Sequence, residues 1–272
     1  MTGPLMVIDS PRNPRVQAAL ALREREMRLA LGQTLVDGSR EALRAMDAGV
    51  TVESAFVCRS LVRTEEAVLA VRTLELASAL IIEVSERVHD RLAFGNRRDG
   101  LVLVVDATTR TLDALKPGPE PLILVTEDVE KPGNLGAILR TADAAGCAAV
   151  IAIGGTDLFN PNVVRASVGT VFSVPVAAAT PAETIAWLGA RGIRPIAALV
   201  DAPAIYTDAD LTGAVALVLG SEADGLSAAW AGDGLEHVSI PMAGTTDSLN
   251  VSVAAAVLAF ESRRQRDRGQ AR

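Results

Sequence analysis

Apolar and polar positions along the chain fall into two successive series of helix and strand signals. In the first, residues 14–31 combine Ala, Leu, Arg and Glu at helical spacing, and residues 34–36 form a short β-rich run. Gly38-Ser39 then precedes a helical stretch at 40–48 that Gly49 closes. Residues 52–57 are β-rich, 65–77 helical, 80–84 a strand, 86–92 a short helix and 101–105 a strand. Pro117, Gly118 and Pro119 interrupt any periodicity within residues 107–120, which read as a linker.

The second series opens with a fully apolar run at 122–125, followed by a helix at 134–145 that Gly146 ends. Residues 148–153, 171–176, 193–199 and 215–219 repeat the apolar run of a strand buried on both faces. Helices at 181–190 and 248–266 alternate with them. The pattern predicts a small α/β domain over 1–106, the linker, and an α/β domain over 121–272 with a mostly parallel sheet and helices on both faces. Ligands of such sheets bind beyond the carboxyl ends of the strands, here the loops after Val125, Leu219 and Ile240.

Composition narrows the chemistry. With 272 residues, 49% of them hydrophobic, the chain can bury a core without staples. Two cysteines, Cys58 and Cys147, and two histidines, His89 and His237, exclude a Cys/His zinc cluster, so no metal is expected. Apolar runs stop near ten residues and the start does not resemble a signal peptide. A reducing, cytoplasmic location without a membrane partner is therefore expected. The net charge of −7 opposes a purely electrostatic nucleic-acid binder. It is uneven, however, at −1 over residues 1–106 and −6 over the rest. Of 26 basic residues 24 are Arg, the side chain that grips phosphate with a planar fork, and only Lys116 and Lys131 are Lys. Arg12 and Arg15 with Arg23, Arg25 and Arg28, and the pair Arg97 and Arg98, are candidate phosphate contacts or solvated faces.

Three loops carry candidate chemistry. Glu130-Lys-Pro-Gly-Asn134-Leu-Gly136 runs from strand into helix, but Gly133 and Gly136 give GxxG. The absent GxGxxG and GxxxxGK[ST] remove most support for a nicotinamide-dependent dehydrogenase or a nucleotide-binding loop. Asn134 can serve as a helix N-cap. Arg140, in an otherwise apolar helix start, must be paired or face a pocket. Gly220-Ser-Glu222-Ala-Asp-Gly225 follows the strand ending at Leu219, and Ile240-Pro-Met-Ala-Gly-Thr-Thr-Asp-Ser248-Leu249-Asn250 leads into the last helix.

Together, Asn134-Leu-Gly-Ala-Ile-Leu-Arg140, Leu217-Val-Leu-Gly220-Ser-Glu222-Ala-Asp-Gly225-Leu, and Ile240-Pro-Met with Ser248-Leu249-Asn250 resemble the three motifs of the SpoU (TrmH-like) RNA ribose 2′-O-methyltransferases of the SPOUT superfamily. Asn162-Val-Val-Arg165-Ala-Ser167-Val-Gly169 matches a further segment of that family. Ser10-Pro-Arg-Asn13-Pro14 and Gly38-Ser39-Arg40 resemble its amino-terminal, ribosomal-protein-L30-like substrate-binding domain.

The resemblance implies a SPOUT fold with a deep trefoil knot, a homodimer, and S-adenosyl-L-methionine as cofactor. It implies Gly220, Ile240 and Leu249 as cofactor contacts and Asn134, Arg140, Glu222, Ser248 and Asn250 as the catalytic surroundings. Arg165, with Arg12, Arg15, Arg97 and Arg98, would hold RNA through phosphate contacts. A ribose hydroxyl must lose its proton during methyl transfer, yet no histidine falls in a motif, and guanidinium, with a pKa of about 12.5–13.8, is a poor base. Two resolutions stand: an RNA phosphate accepts a proton from Arg140 as the hydroxyl gives up its own, or, as is favoured, Arg140 stays charged, stabilises a developing alkoxide and leaves proton removal to another acceptor. The two-domain layout resembles family members that act on large ribosomal RNA, some of which confer resistance to ribosome-targeting antibiotics, so the resemblance implies 23S ribosomal RNA as substrate. Transfer RNA as substrate, and a non-catalytic RNA-binding module on the same scaffold, are the competing readings.

Overall fold

The computed structural model describes residues 7–94, 98–108, 110–232 and 235–270. In chain order the elements are α1 (Pro14–Ala21), α2 (Arg25–Leu31), β1 (Gln33–Asp37), α3 (Ser39–Asp47), β2 (Val52–Val57), α4 (Glu65–Leu76), β3 (Ile81–Glu83), α5 (Glu86–Leu92) and β4 (Leu101–Asp106). They continue as β5 (Leu122–Glu127), α6 (Pro132–Ala145), β6 (Ala149–Ile153), α7 (Pro161–Ala166), α8 (Thr170–Ser173), β7 (Val176–Ala179) and α9 (Pro181–Gly189). The last are β8 (Arg194–Ala198), β9 (Ala204–Ile205), β10 (Val215–Leu219), β11 (Glu236–Ser239) and α10 (Val251–Gln270). Two units result: residues up to Thr108 together with Phe159–Ser173, and the remainder.

The first unit has a four-stranded sheet ordered β1-β4-β2-β3, with β4 antiparallel to both neighbours. Leu35, Phe56, Val102, Val88 and Leu92 fill its core. The helix expected over 14–31 is two helices, because the chain turns at 22–24 before Arg25 restarts it. Two arginines of the expected phosphate cluster face inward. Arg23 Nη2 donates to the carbonyls of Arg91, Leu92 and Ala93 at the end of α5, and its guanidinium lies 4.7 Å from the Phe94 ring centroid. Arg28 is 4% exposed and donates to the Leu22 and Arg23 carbonyls.

Residues 171–176, read above as a strand, instead contain α8 and a turn before β7, since Pro175 offers no ladder donor. The sequence pattern assigns 159–173 to the second domain, whereas this segment packs on the first unit. Thr34 Oγ1 donates to the Phe159 carbonyl at 2.6 Å and Arg44 Nη1 to the Val168 carbonyl at 2.6 Å. The turn between α7 and α8 needs positive φ at Val168 (54°) and Gly169 (80°). A Cβ on Gly169 would lie 3.0 Å from the Glu41 Cα, so glycine is required there.

In the second unit seven strands run β7-β6-β5-β10-β8-β11-β9, every pairing parallel. Each residue of β5, β6 and β10 is buried, which is why β6, β10 and the first four residues of β5 read as unbroken apolar runs. The interval 107–120 is not a structureless linker: Leu112, which opens a short 3-10 turn, and Leu115, which closes it, pack into this unit's core beside Trp187 and Trp230. Both cysteines are free and buried, and burial pushes the Cys147 thiol up to about 12. Among the described residues no helix is long and apolar enough to cross a membrane, and no group of three His, Cys, Asp or Glu could hold a metal ion.

Candidate functional site

The carboxyl ends of β5, β8, β10 and β11 deliver four loops to one edge of the parallel sheet. After β5 the chain turns through Asp128 (φ 52°) and enters α6, whose Pro132 suits a first helical turn that needs no donor. Lys131 is the cap residue of α6, so Asn134 lies inside the first turn and not at the cap expected for it. Its amide is thereby free to face the β10 loop. At the far side Asn250 caps α10: its Oδ1 accepts the Ser252 backbone N–H at 3.0 Å and the Ser252 hydroxyl at 2.6 Å. The last helix therefore starts three residues later than the pattern suggested, and Ser248 lies outside it.

These positions join four side chains in one network. Glu222 Oε2 accepts from Lys131 Nζ at 2.6 Å, and Glu222 Oε1 accepts from Asn134 Nδ2 at 2.9 Å and from Asn250 Nδ2. Asn250 Nδ2 also donates to Asn134 Oδ1 at 3.2 Å. The Lys131 ammonium, foremost, and then Asn134 hold the Glu222 carboxyl below the usual carboxylate range; Glu222 in turn raises the Lys131 pKa. Glu222 is thus an ionised hub for two amides, and a weak proton acceptor.

Beside this network lies a cavity of about 370 Å³, within the size range of small-molecule sites. Leu219, Gly220, Ile240, Met242, Ser248 and Leu249 are among its lining residues. Gly220 has no room for a side chain, because a Cβ would fall 2.2 Å from the Gly225 carbonyl carbon. The loop closes on itself there: Ser221 N donates to Gly225 O at 3.0 Å and Gly225 N to Ser221 O at 3.2 Å. An apolar wall of Leu and Ile residues, exposed loop backbone and flanking Ser221 and Asp247 fit a cofactor with a flat ring and charged ends. A second cavity of about 390 Å³ shares Ser221, Glu222 and Val251 with the first and adds Asp128, Lys131 and Asn134.

Five of the site residues expected from sequence share the first cavity or line its rim: Gly220, Glu222, Ile240, Ser248 and Leu249. Asn134 and Asn250 reach them through the network. Arg140 does not join: it is exposed on α6, six residues beyond Asn134, and lines neither cavity. Arg165, in the first unit, donates to Asp37 Oδ2 at 3.4 Å. Arg98 forms exposed ion pairs with Glu86 (2.9 Å) and Asp90 (3.0 Å). Arg12 and Arg15 enter no ion pair among the described residues, and Arg97 lies outside those residues.

Sequence reasoning missed Lys131, although one of only two lysines in an arginine-rich chain was a usable signal. It also missed Leu199 and Val200, which follow β8 and line the first cavity without any polar marker.

Known proteins give the site its context. Residues 121–260 match the SpoU rRNA Methylase family, and residues 13–102 match the MRM3-like substrate binding domain. A 23S rRNA (uridine(2479)-2′-O)-methyltransferase of Streptomyces viridochromogenes is 32% identical across 95% of this chain and 92% of its own. A crystal structure described as an RNA 2′-O ribose methyltransferase is 41% identical, covering 96% of this chain and 99% of that one, with a TM-score of 0.83. The SpoU methyltransferase AviRb from S. viridochromogenes, in complex with the cofactor AdoMet, is 30% identical over 94% of this chain and all of that one (100%), with a TM-score of 0.85. Matched over more than half its length and superposing on these folds, the chain belongs to the SpoU rRNA methylase family.

Proposed function

We propose that the protein methylates a ribose 2′-hydroxyl of RNA, with S-adenosyl-L-methionine as donor and 23S ribosomal RNA as substrate. The observation that carries this reading is the Lys131–Glu222–Asn134–Asn250 network beside a cavity rimmed by Gly220, Ile240 and Leu249. Relatives matched along nearly the whole chain carry this activity in their names. The bound cofactor supplies an electrophilic methyl group on a sulfonium.

The chain's own residues do the rest. Glu222 fixes the two amides and keeps Lys131 charged. The ammonium then stands where negative charge develops on the attacking oxygen, while the hydroxyl proton leaves to solvent. Ser248 lines the donor cavity, and Asn134 and Asn250 orient the ribose.

Arg140 enters this scheme through a second copy of the chain. Val253 and Phe260 are exposed on α10, and Val257 is half-exposed, giving an apolar stripe at helical spacing on the helix that packs beside α6. A homodimer covering that stripe brings Arg140 of one copy to the cavity of the other. The family's trefoil knot belongs to the same reading. Ser262 Oγ donates to the Leu211 carbonyl at 2.7 Å and Arg266 Nη2 to the Gly213 carbonyl at 2.6 Å, holding α10 against the segment before β10. Arg12 and Arg15 remain the phosphate contacts of the first unit, and a cytoplasmic location follows from the substrate.

The test is transfer of radiolabelled methyl from S-adenosylmethionine to ribosomal RNA, with the 2′-O-methyl position mapped in cells with and without the gene. Failure of purified protein to bind the donor or to label RNA overturns the proposal. Labelling of transfer RNA instead replaces the substrate, and mapping against antibiotic susceptibility tests the resistance role.

A further inference from the structure

Glu127 ends β5 and is 2% exposed, yet nothing in the reaction above uses it. A buried carboxylate is costly unless its oxygens are hydrogen-bonded, and an apolar residue would extend β5 at lower cost. Both oxygens are occupied by one residue. Oε2 accepts the Ser227 backbone N–H at 2.8 Å, and Oε1 accepts the Ser227 hydroxyl at 2.8 Å.

Ser227 lies at the far end of the loop that carries Gly220 and Glu222, just before the 3-10 turn Ala228–Trp230, whose Trp230 is sealed in the core. The near end of that loop is fixed by β10, and its middle by the Ser221–Gly225 pair. The exit is held by the Glu127 clamp. Glu127 also immediately precedes the loop of Asp128, Lys131 and Asn134. One buried carboxylate therefore joins the base of the loop that supplies Lys131 and Asn134 to the exit of the loop that supplies Glu222.

We propose that Glu127 is a positioning residue. By clamping Ser227 it sets the reach of Glu222 toward Lys131 and Asn134 and the shape of the backbone around Gly220. The effect on methyl transfer rests on the function proposed above. The clamp itself does not, so it has its own readout.

Glu127→Leu, Glu127→Gln, Ser227→Ala and the Glu127→Leu/Ser227→Ala double variant of the full chain are compared by three measurements. Calorimetry gives S-adenosylmethionine affinity, single-turnover methyl transfer gives the rate per folded molecule, and amide hydrogen exchange reports on residues 220–227. Glu127→Leu, which removes both bonds to Ser227, weakens donor binding by roughly tenfold; Ser227→Ala, which removes only the hydroxyl bond and keeps the backbone N–H bond, weakens it by a smaller factor, and the double variant is no worse than Glu127→Leu because the hydroxyl bond is lost in both. Glu127→Gln still accepts the Ser227 N–H and can donate to its hydroxyl, so it stays within about threefold of the parent. Exchange over 220–227 accelerates in Ser227→Ala, the variant that spares the core if Glu127→Leu fails to fold.

Unchanged affinity, rate and loop exchange in folded Ser227→Ala overturn the proposal, as do strictly additive effects in the double variant. If the parent protein itself binds no donor, the functional reading fails, and loop exchange alone still decides whether the clamp exists.

Discussion

Asn250 does two jobs that substitution can separate. Its Oδ1 caps α10, and its Nδ2 donates to Glu222 and Asn134. Alanine removes both functions. Loss of an N-cap costs about 0.5–2 kcal/mol. At about 2–4 °C per kcal/mol for a domain of 150–250 residues, Asn250→Ala should lower the melting temperature by roughly 1–8 °C. Asn250→Asp keeps a capping oxygen but turns a second carboxylate toward Glu222. It should melt close to the parent near neutral pH, while methyl transfer falls on the order of 10²-fold, as for a misaligned reacting pair. Asn250→Ala should lose comparable activity. Differential scanning calorimetry beside single-turnover methylation of ribosomal RNA makes the comparison. An Asp variant that melts as low as the Ala variant, or that turns over at the parent rate, contradicts the division of labour assigned to this side chain.

Lys131→Met should shift the acid limb of the kcat profile to higher pH, because the ammonium that holds the Glu222 carboxyl low is gone; an unmoved limb removes Lys131 from the network. His89 is fully buried with Nδ1 3.6 Å from Asp90 Oδ1, and burial, outweighing that carboxylate, pushes its pKa below the ordinary value. The unfolded chain therefore binds the proton first, so stability is lost as pH falls from about 6.5 toward the folded value. His89→Phe should flatten that part of a melting-temperature-versus-pH curve, and a persistent slope would assign it elsewhere. Arg12→Ala with Arg15→Ala should reduce the salt dependence of RNA binding by roughly two phosphate contacts, read as the slope of log affinity against log salt. An unchanged slope moves the RNA surface away from α1.

Strands buried on both faces, such as β5 and β10, were legible because short apolar runs bounded by turn signals have few other uses in an α/β chain. Helix starts were less so. Asn134 and Ser248 both look like caps in sequence, but Lys131 and Asn250 occupy those positions, which sends Asn134 and Asn250 into the site. The β-branched run at 171–176 suggested a strand, while Val171 is instead buried on a helical turn. Within the site, the motif residues with polar side chains or glycine were visible. Leu199 and Val200 were not, since a cavity wall made of aliphatic side chains looks like any other core. Arg98 and Arg165 add a second limit: a sequence displays a cation but not the carboxylate that the fold sets beside it.

The excursion of Phe159–Ser173 onto the first unit makes the protein awkward to dissect. A cut in the 107–120 interval severs one chain crossing and leaves two more, at 158/159 and 173/174. A fragment beginning after that interval would carry Phe159, Val163, Val164 and Val171 without the surface that buries them. A fragment ending before it would lose the partners of Thr34 and Arg44. Truncated versions made for crystallisation or as dominant inhibitors should therefore be prone to aggregate unless the segment is excised and bridged, or supplied in trans as a peptide.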